Sequence, residues 1–177
     1  TGISVGGLPD GIVDAGTLAT NSVDSAELID GSIDAGHLAS GVGGKILQYI
    51  QVTSTTQYNP GLSYGVVTDS TIAITPSSSS NFILVMYQTG GLIEEIQNLG
   101  IKIKRDTTVI KHHDRYGYNE DTAWTPCPVT VFVVDQPSST SELSYTLEMY
   151  KELNHGCQMN DTGTVAGFVG LAMEIAG

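Results

Sequence analysis

Ser-Glu-Leu-Ser-Tyr-Thr-Leu-Glu-Met-Tyr-Lys-Glu-Leu, residues 141–153, has the clearest alternation of apolar and polar residues in the chain. Its apolar residues Leu143, Tyr145, Leu147 and Met149 fall at every second position, with Ser144, Thr146, Glu148 and Tyr150 between them. Because side chains alternate between the two faces of a strand, this period of two predicts a strand with one buried face. The sequence therefore predicts an all-β domain around this segment.

Other segments on both sides of this stretch also have the pattern of strands. They are Lys45–Thr53, Val66–Thr75, Asn81–Gln88, Ile101–Arg105, Thr108–His112, Val129–Asp135 and Thr164–Ala176. Asp106-Thr107 predicts a hairpin, and Asn81–Gln88 is apolar on both faces, as a central strand is. In the last strand one face is predicted to hold Val165, Val169, Leu171, Met173 and Ile175.

The segments between the strands read as turns and loops. Leu92–Asn98 fits one helical turn or a loop, and residues 114–128 and 154–161 read as polar loops. About eight strands separated by turn signals, without a long helical pattern, predict a β-sandwich of jelly-roll type. We assign this head domain to residues 45–177.

The first forty residues have a different period, with one apolar residue at every fifth position. The ladder consists of Ile3, Leu8, Val13, Leu18, Val23, Leu28, Ile33 and Leu38, set in blocks of ten. Neither the helical period of 3.6 nor the strand period of 2 produces this spacing. Each block predicts a short strand followed by one Asp-capped helical turn, and such a turn does not hold together alone in water.

Two arrangements would cover the ladder. A pentapeptide-type solenoid within one chain needs roughly four pentads per turn, so eight pentads give barely two turns, too few for a stable array. Three chains wound about a common axis would bury every layer even with few repeats. We therefore favour a homotrimeric stalk over residues 1–40, followed by a glycine hinge at 41–44. Because the ladder is in phase from Ile3 and Thr1 is not a Met, we expect the stalk to continue upstream.

The charge distribution excludes several classes of partner. The chain carries a net charge of −12, and residues 1–44 hold six acidic residues without any Lys or Arg. A protein this acidic cannot neutralise a row of phosphates, which argues against nucleic acid and anionic membranes as partners. No apolar run approaches the roughly 18 residues of a transmembrane helix, so no membrane insertion is predicted.

No catalytic motif is present in the sequence. A phosphate-binding loop, a nucleophile elbow and a His-x-x-x-His pair are all absent. The adjacent carboxylates Glu94-Glu95 and Glu120-Asp121 are typical of plain surface charge, so neither an enzymatic activity nor a cofactor is predicted.

A metal site and a disulfide are also not predicted. His112, His113 and Asp114, with His155 and Cys157, are chemically able to bind zinc. Adjacent histidines on a strand point to opposite faces, however, and at most one can join a given site. The two cysteines, Cys127 and Cys157, fix no disulfide framework and are predicted to be free thiols.

Residues 112–124 concentrate side chains that suit sugar binding. Aromatic rings stack on the C–H faces of pyranoses while carboxylates and amides bond their hydroxyls. The predicted receptor-binding residues are His112, His113, Tyr116, Tyr118, Asn119, Trp124 and, from the second polar loop, His155. The alternative is that Trp124 caps the core and that the two tyrosines pack between subunits.

The decad Gly-Ser-Ile-Asp-Ala-Gly-His-Leu-Ala-Ser at 31–40 resembles the stalk repeats of bacteriophage tail fibres, especially those of marine and cyanobacterial phages. Residues 44–53, 72–85, 103–110 and 171–177 are similar to parts of their distal domains. The resemblance implies a homotrimeric fibre with a β-sandwich tip, no enzymatic activity and recognition of a host surface. It identifies no binding residue, because it is weakest over 112–128 and 154–163.

These observations predict the distal fragment of a tail fibre, assembled in the host cytoplasm and carried on the virion. We expect its head to bind a host cell-surface glycan and its upstream part to contact other virion proteins. The alternative is a purely structural neck or head fibre whose terminal domain drives trimerisation.

Overall fold

The computed structural model describes residues 33, 37, 46–94, 97–120, 122–160 and 167–177. The chain divides into two compact units, Thr1–Gly43 and Gly44–Gly177, and the division falls in the predicted glycine hinge. In the first unit Ile33 and His37 are described, and Ile33 is 47% exposed in the single chain. The other seven ladder residues lie outside the described residues, so the stalk stays a prediction.

The described part of the second unit is built from strands. They are β1 (Ile46–Ser54), β2 (Gly65–Val66), β3 (Ile72–Ile74), β4 (Phe82–Thr89), β5 (Gly91–Ile93), β6 (Gln97–Arg105), β7 (Thr108–Asn119), β8 (Thr125–Pro126), β9 (Val129–Asp135), β10 (Leu143–Lys151), β11 (Cys157–Met159) and β12 (Phe168–Ile175). The helical alternative for Leu92–Asn98 is wrong, because β5 and β6 take up this segment on either side of residues 95–96.

The strands form three antiparallel sheets. The first sheet has the order β1-β12-β4-β9, the second has the order β2-β10-β6-β7 with β3 also on β10, and the third has the order β11-β5-β8. One continuous apolar core joins residues of the first two sheets, including Val85 and Tyr87 of β4 and Ile101 and Leu147 of β6 and β10. This confirms the all-β fold, and a core shared by two antiparallel sheets is the arrangement expected of a β-sandwich, whereas the jelly-roll connectivity stays a prediction.

The alternating segment 141–153 contains β10, which lies at the centre of the second sheet. β10 pairs with β6 on one side and with β2 and β3 on the other, and Leu143, Tyr145, Leu147 and Met149 are buried as predicted. Asp135 of β9 accepts hydrogen bonds from Arg105 at 2.8 and 2.9 Å and from Tyr145 at 2.7 Å. These bonds tie the second sheet to the first.

The predicted strand Val66–Thr75 is interrupted in the structure. Residues 67–71 do not form a strand, and Asp69 has a φ of 60°, which lies outside the extended region that strand residues adopt. The Val67 N–H still donates to the Leu147 carbonyl at 2.8 Å, and the Ser70 hydroxyl replaces the missing bond to the Leu147 N–H, from which it accepts at 3.2 Å. The same hydroxyl also donates to the Leu147 carbonyl at 3.3 Å. A side chain thus satisfies the backbone of β10 where strand pairing stops.

The last strand turns its apolar face away from the core. Val169, Leu171, Met173 and Ile175 do share one face of β12, and Val165 lies outside the described residues. The opposite face is the buried one, and it carries Phe168, Gly170, Ala172 and Glu174. Apolar residues therefore occupy the outward side of a central strand.

Both cysteines are buried free thiols, as predicted. Burial raises the pKa of Cys127, and burial together with the neighbouring Cys127 raises the pKa of Cys157 to about 12. Since the thiolate is the reactive form, we expect alkylation by iodoacetamide at pH 8 to be at least ~100-fold slower in the native protein than in urea. Mass spectrometry of the timed reaction measures this, and equal native and unfolded rates would contradict the burial of the two thiols.

Candidate binding site

The outward face of the second sheet carries a cluster of aromatic and charged side chains. Lys102 on β6 pairs in register with His112 on β7, and Tyr150 on β10 pairs with Gly100 on β6. Tyr64, which precedes β2, lies over these strands. Because β6 and β10 bury their alternate residues, these side chains are displayed on the surface of a rigid sheet.

Contacts within this cluster fix its geometry. The Tyr64 hydroxyl lies 2.9 Å from His112 Nε2, which in turn lies 2.6 Å from Asp114 Oδ1. The Lys102 ammonium stands 3.5 Å from the centroid of the Tyr64 ring, and the Tyr64 and Tyr150 rings are 4.5 Å apart. Burial and the Asp114 carboxylate raise the pKa of Tyr64, so its hydroxyl remains protonated at neutral pH. We call these five residues, Tyr64, Lys102, His112, Asp114 and Tyr150, the tyrosine cluster.

A depression of about 500 Å³ adjoins the tyrosine cluster. It is lined by Asn98, Arg115, Tyr118, Glu152 and Leu153. Asn98 pairs in register with Tyr118, and its amide donates to the Glu152 carboxylate. Tyr118 is 53% exposed, so its ring is available to a ligand. A ring, a guanidinium, a carboxylate and an amide thus line one surface, which is the combination that binds a sugar ring and its hydroxyls.

A bulge in β7 positions part of this surface. Between the pairs Leu99–Gly117 and Ile101–His113, the single residue Gly100 on β6 lies opposite the three residues 114–116 on β7. Such bulges bend a strand and redirect its side chains. The Tyr116 hydroxyl from this bulge donates to the Thr130 carbonyl at 2.6 Å and accepts from the Thr130 N–H at 2.9 Å. Tyr116 therefore anchors β7 to the edge of β9.

The predicted binding residues do not form one site. His112 belongs to the tyrosine cluster and Tyr118 to the depression. His113 follows His112 on the same strand and therefore points to the opposite face of β7, as predicted. There it lines a second depression of about 260 Å³ together with Lys111 and Phe132. Tyr116 is engaged by the edge of β9.

Three further predictions have different outcomes. The prediction that Asn119 binds a receptor is wrong, because this residue is buried and its amide donates to the backbone carbonyls of Ile93 and Ala123. Trp124 packs on Gly156 beside the third sheet, where a Cβ on that glycine would come within 2.5 Å of the indole. His155 is half-buried, and its carbonyl accepts from Lys151 at 2.9 Å.

Several residues of the site have no signal in the sequence that marks them as binding residues. Tyr64, the β6 residues Asn98 and Lys102, and Glu152 come from three segments far apart in the chain, and these segments meet only through strand pairing. Tyr150 does have a signal, since it is an aromatic residue on the polar side of the alternating stretch. Residues 114–119 were predicted as loop but belong to β7, which is polar on both sides because it is an edge strand.

The described ranges show neither a metal cluster nor a membrane helix. Within them no group of three His, Cys, Asp or Glu side chains comes together in a way that would hold a metal ion. The same ranges contain no helix with the length and apolar character needed to cross a bilayer.

Comparisons with known proteins assign no family. No family model matches the sequence, and no curated protein matches it. Two capsid structures are similar over part of the chain. The infectious bursal disease virus Gx strain gives a TM-score of 0.46 at 14% identity, covering 73% of this chain and 32% of that chain. The VP2 subviral particle of the same virus gives a TM-score of 0.43 at 12% identity, covering 73% and 33%.

The chain spans about a third of the length of these capsid chains. TM-scores below 0.5 are too low for either likeness to indicate a function.

Proposed function

We propose that this chain is the distal part of a homotrimeric bacteriophage tail fibre whose jelly-roll-like head binds a host cell-surface glycan. The observation that carries the binding function is the aromatic and charged surface around the depression on the second sheet. Tyr118 offers an exposed ring, and Arg115 and Glu152 offer a hydrogen-bond donor and acceptors beside it. Binding energy for a sugar comes from ring stacking together with such polar contacts.

The fibre part of the proposal rests on the stalk repeat and on its resemblance to phage fibres. The exposure of Ile33 is in keeping with a ladder that a single chain leaves uncovered. Burying an apolar side chain of this kind is favourable, and three copies that meet in one layer would bury it. The protein would accordingly be a virion component that attaches to its host through the head, without catalysis.

Binding to immobilised bacterial lipopolysaccharides and capsular polysaccharides tests the proposed function. We expect the full chain to bind at least one of them, and Tyr118→Ala or Arg115→Ala to weaken binding at least ~10-fold, about 1.4 kcal/mol. Tyr118→Phe keeps the ring and is expected to retain most of the affinity. Thr146→Ala, farther along the same sheet face, is a matched surface control that should bind like the unaltered protein.

Two results would contradict the binding function. One is the absence of binding to the whole panel by a protein that is trimeric in solution, which would favour the purely structural fibre. The other is binding that neither Tyr118→Ala nor Arg115→Ala weakens, which would move the site away from the depression.

A further inference from the structure

The outward face of the first sheet is apolar across neighbouring strands. Cross-strand pairing aligns its side chains in rows, because each outward residue faces an outward partner. Two adjacent rows are Met173–Leu84–Val134 and Leu171–Met86–Phe132, and these six residues are called the apolar face. Phe132 is 62% and Val134 57% exposed in the single chain.

Among the described residues, the outward positions of the four strands of the first sheet carry no charged side chain, and Lys111 of β7 borders this surface beside Phe132. The outward positions of β1 from Tyr49 to Thr53, of β4 from Phe82 to Gln88, of β9 from Thr130 to Val134 and of β12 from Val169 to Ile175 carry only apolar residues, Gln and Thr. The chain as a whole has a net charge of −12. Copies of so acidic a protein repel one another electrostatically, and this repulsion is smallest when the copies meet through their uncharged surfaces.

The outward side of the first sheet, which contains the apolar face, is large enough for a moderate interface between copies. The four strands of the first sheet lie about 4.8 Å apart and carry three or four outward residues each at about 6.8 Å spacing, so the outward side of this sheet spans roughly 450 Å². That is within the range of the largest apolar patches on monomeric proteins, roughly 300–600 Å². Two such sides in contact would bury about 900 Å² in total, which is below a standard stable interface of about 1,600 Å² and in the range of weak associations.

We propose that further copies of this chain cover the apolar face, so that the first sheet forms the self-association surface of the head and the second sheet is left for the ligand. This inference rests on the proposed trimeric fibre in one respect. β1 begins two residues after Gly44, so chains joined through their ladders would hold their heads at high local concentration. Under that condition a moderate apolar interface is enough for stable association.

Hydroxyl-radical labelling of the full chain, read by peptide mass spectrometry, tests this surface directly. Phe132 and Met86 are expected to be labelled at least ~10-fold more slowly in the native protein than in urea, as befits the core of an interface. Tyr118 is exposed on the second sheet, and we expect no partner to cover it. Its labelling rate in the native protein should therefore be no more than about threefold lower than in urea. If the labelling rate of Phe132 were lowered by folding as little as that of Tyr118, the proposal would be overturned.

A pair of variants gives a second readout. Phe132 is exposed in the single chain, so Phe132→Glu should leave the head folded while lowering the temperature at which associated chains separate. Thr146→Glu, on the outward face of the second sheet, is expected to leave that temperature unchanged, and equal effects of the two substitutions would contradict the proposal.

The outcome is independent of glycan binding. Protected Phe132 without any glycan binding would refute the proposed receptor function alone. Glycan binding with unprotected Phe132 would refute this interface alone.

Discussion

Replacing Glu174 by Gln is expected to lower the free energy of unfolding by about 2–3 kcal/mol at pH 7. Glu174 is fully buried on β12. It accepts hydrogen bonds from the Asn81 amide at 2.6 Å, from the Gln48 amide at 2.5 Å, and from the Ser77 N–H and hydroxyl at 2.7 and 2.8 Å. Burial alone would raise the pKa of this carboxyl, but these four donors outweigh it and lower the pKa to about 2. A Gln amide would remove the negative charge and place an NH2 group where Glu174 Oε2 accepts from the Gln48 amide.

The same group makes stability depend on pH in a defined window. The folded pKa lies below the ordinary value of 4.5, so the carboxylate stabilises the fold fully above about pH 4.5 and progressively less as the pH falls towards 2. The difference in unfolding free energy between the parent and Glu174→Gln should therefore shrink from pH 7 to pH 3. Urea unfolding at one fixed chain concentration measures it, because association would shift the transition.

Glu142→Gln is the matched control for this prediction. Glu142 is exposed, and its substitution is expected to change stability by less than about 0.5 kcal/mol at either pH. A Glu174→Gln protein as stable as this control, or a difference that does not vary with pH, would show that the hydrogen bonds to Glu174 do not hold the end of β12.

Replacing Gly100 by Ala is expected to reduce glycan binding at least ~10-fold and to destabilise the head by about 1–3 kcal/mol. An added Cβ at Gly100 would overlap the Tyr150 ring and lie 2.7 Å from the Tyr64 hydroxyl. Both rings would have to move, and the tyrosine cluster beside the depression would lose its geometry. Titration with the bound polysaccharide and urea unfolding provide the two measurements.

Gly61→Ala is the matched control for Gly100→Ala. A Cβ at Gly61 meets its nearest atom at 3.8 Å, so this substitution is expected to change neither binding nor stability beyond about 0.5 kcal/mol. If Gly100→Ala bound the polysaccharide as tightly as Gly61→Ala, the tyrosine cluster would have no part in positioning the ligand.

The half-buried strands could be predicted from the sequence, and the exposed or very short ones could not. The strand predicted within residues 141–153 is confirmed as β10. One of its faces meets the core and the other meets water, and this gives the sequence a clean alternation of apolar and polar residues. β7 is an edge strand with polar residues on both sides and a bulge at 114–116, so its second half looks like a loop. β5, β8 and β11 have two or three residues each and exist only because they pair with one another.

The candidate site could be predicted only in part for a similar reason. His112 and Tyr118 are conspicuous in the sequence, and both lie on the outward face of the second sheet. Tyr64 and Asn98 join them through the topology of the sheet, which no local pattern encodes. Asn119 looked like a surface residue because amides are usually exposed, yet its amide satisfies buried backbone carbonyls.

The ladder and the apolar face are both buried only if the chain associates with further copies of itself. Sedimentation equilibrium of the full 177-residue chain measures this association most directly. We predict a mass of about 56 kDa, three times the chain mass of 18.6 kDa, at micromolar concentration. A mass of 18.6 kDa under these conditions would contradict both the homotrimeric stalk and the self-association of the head.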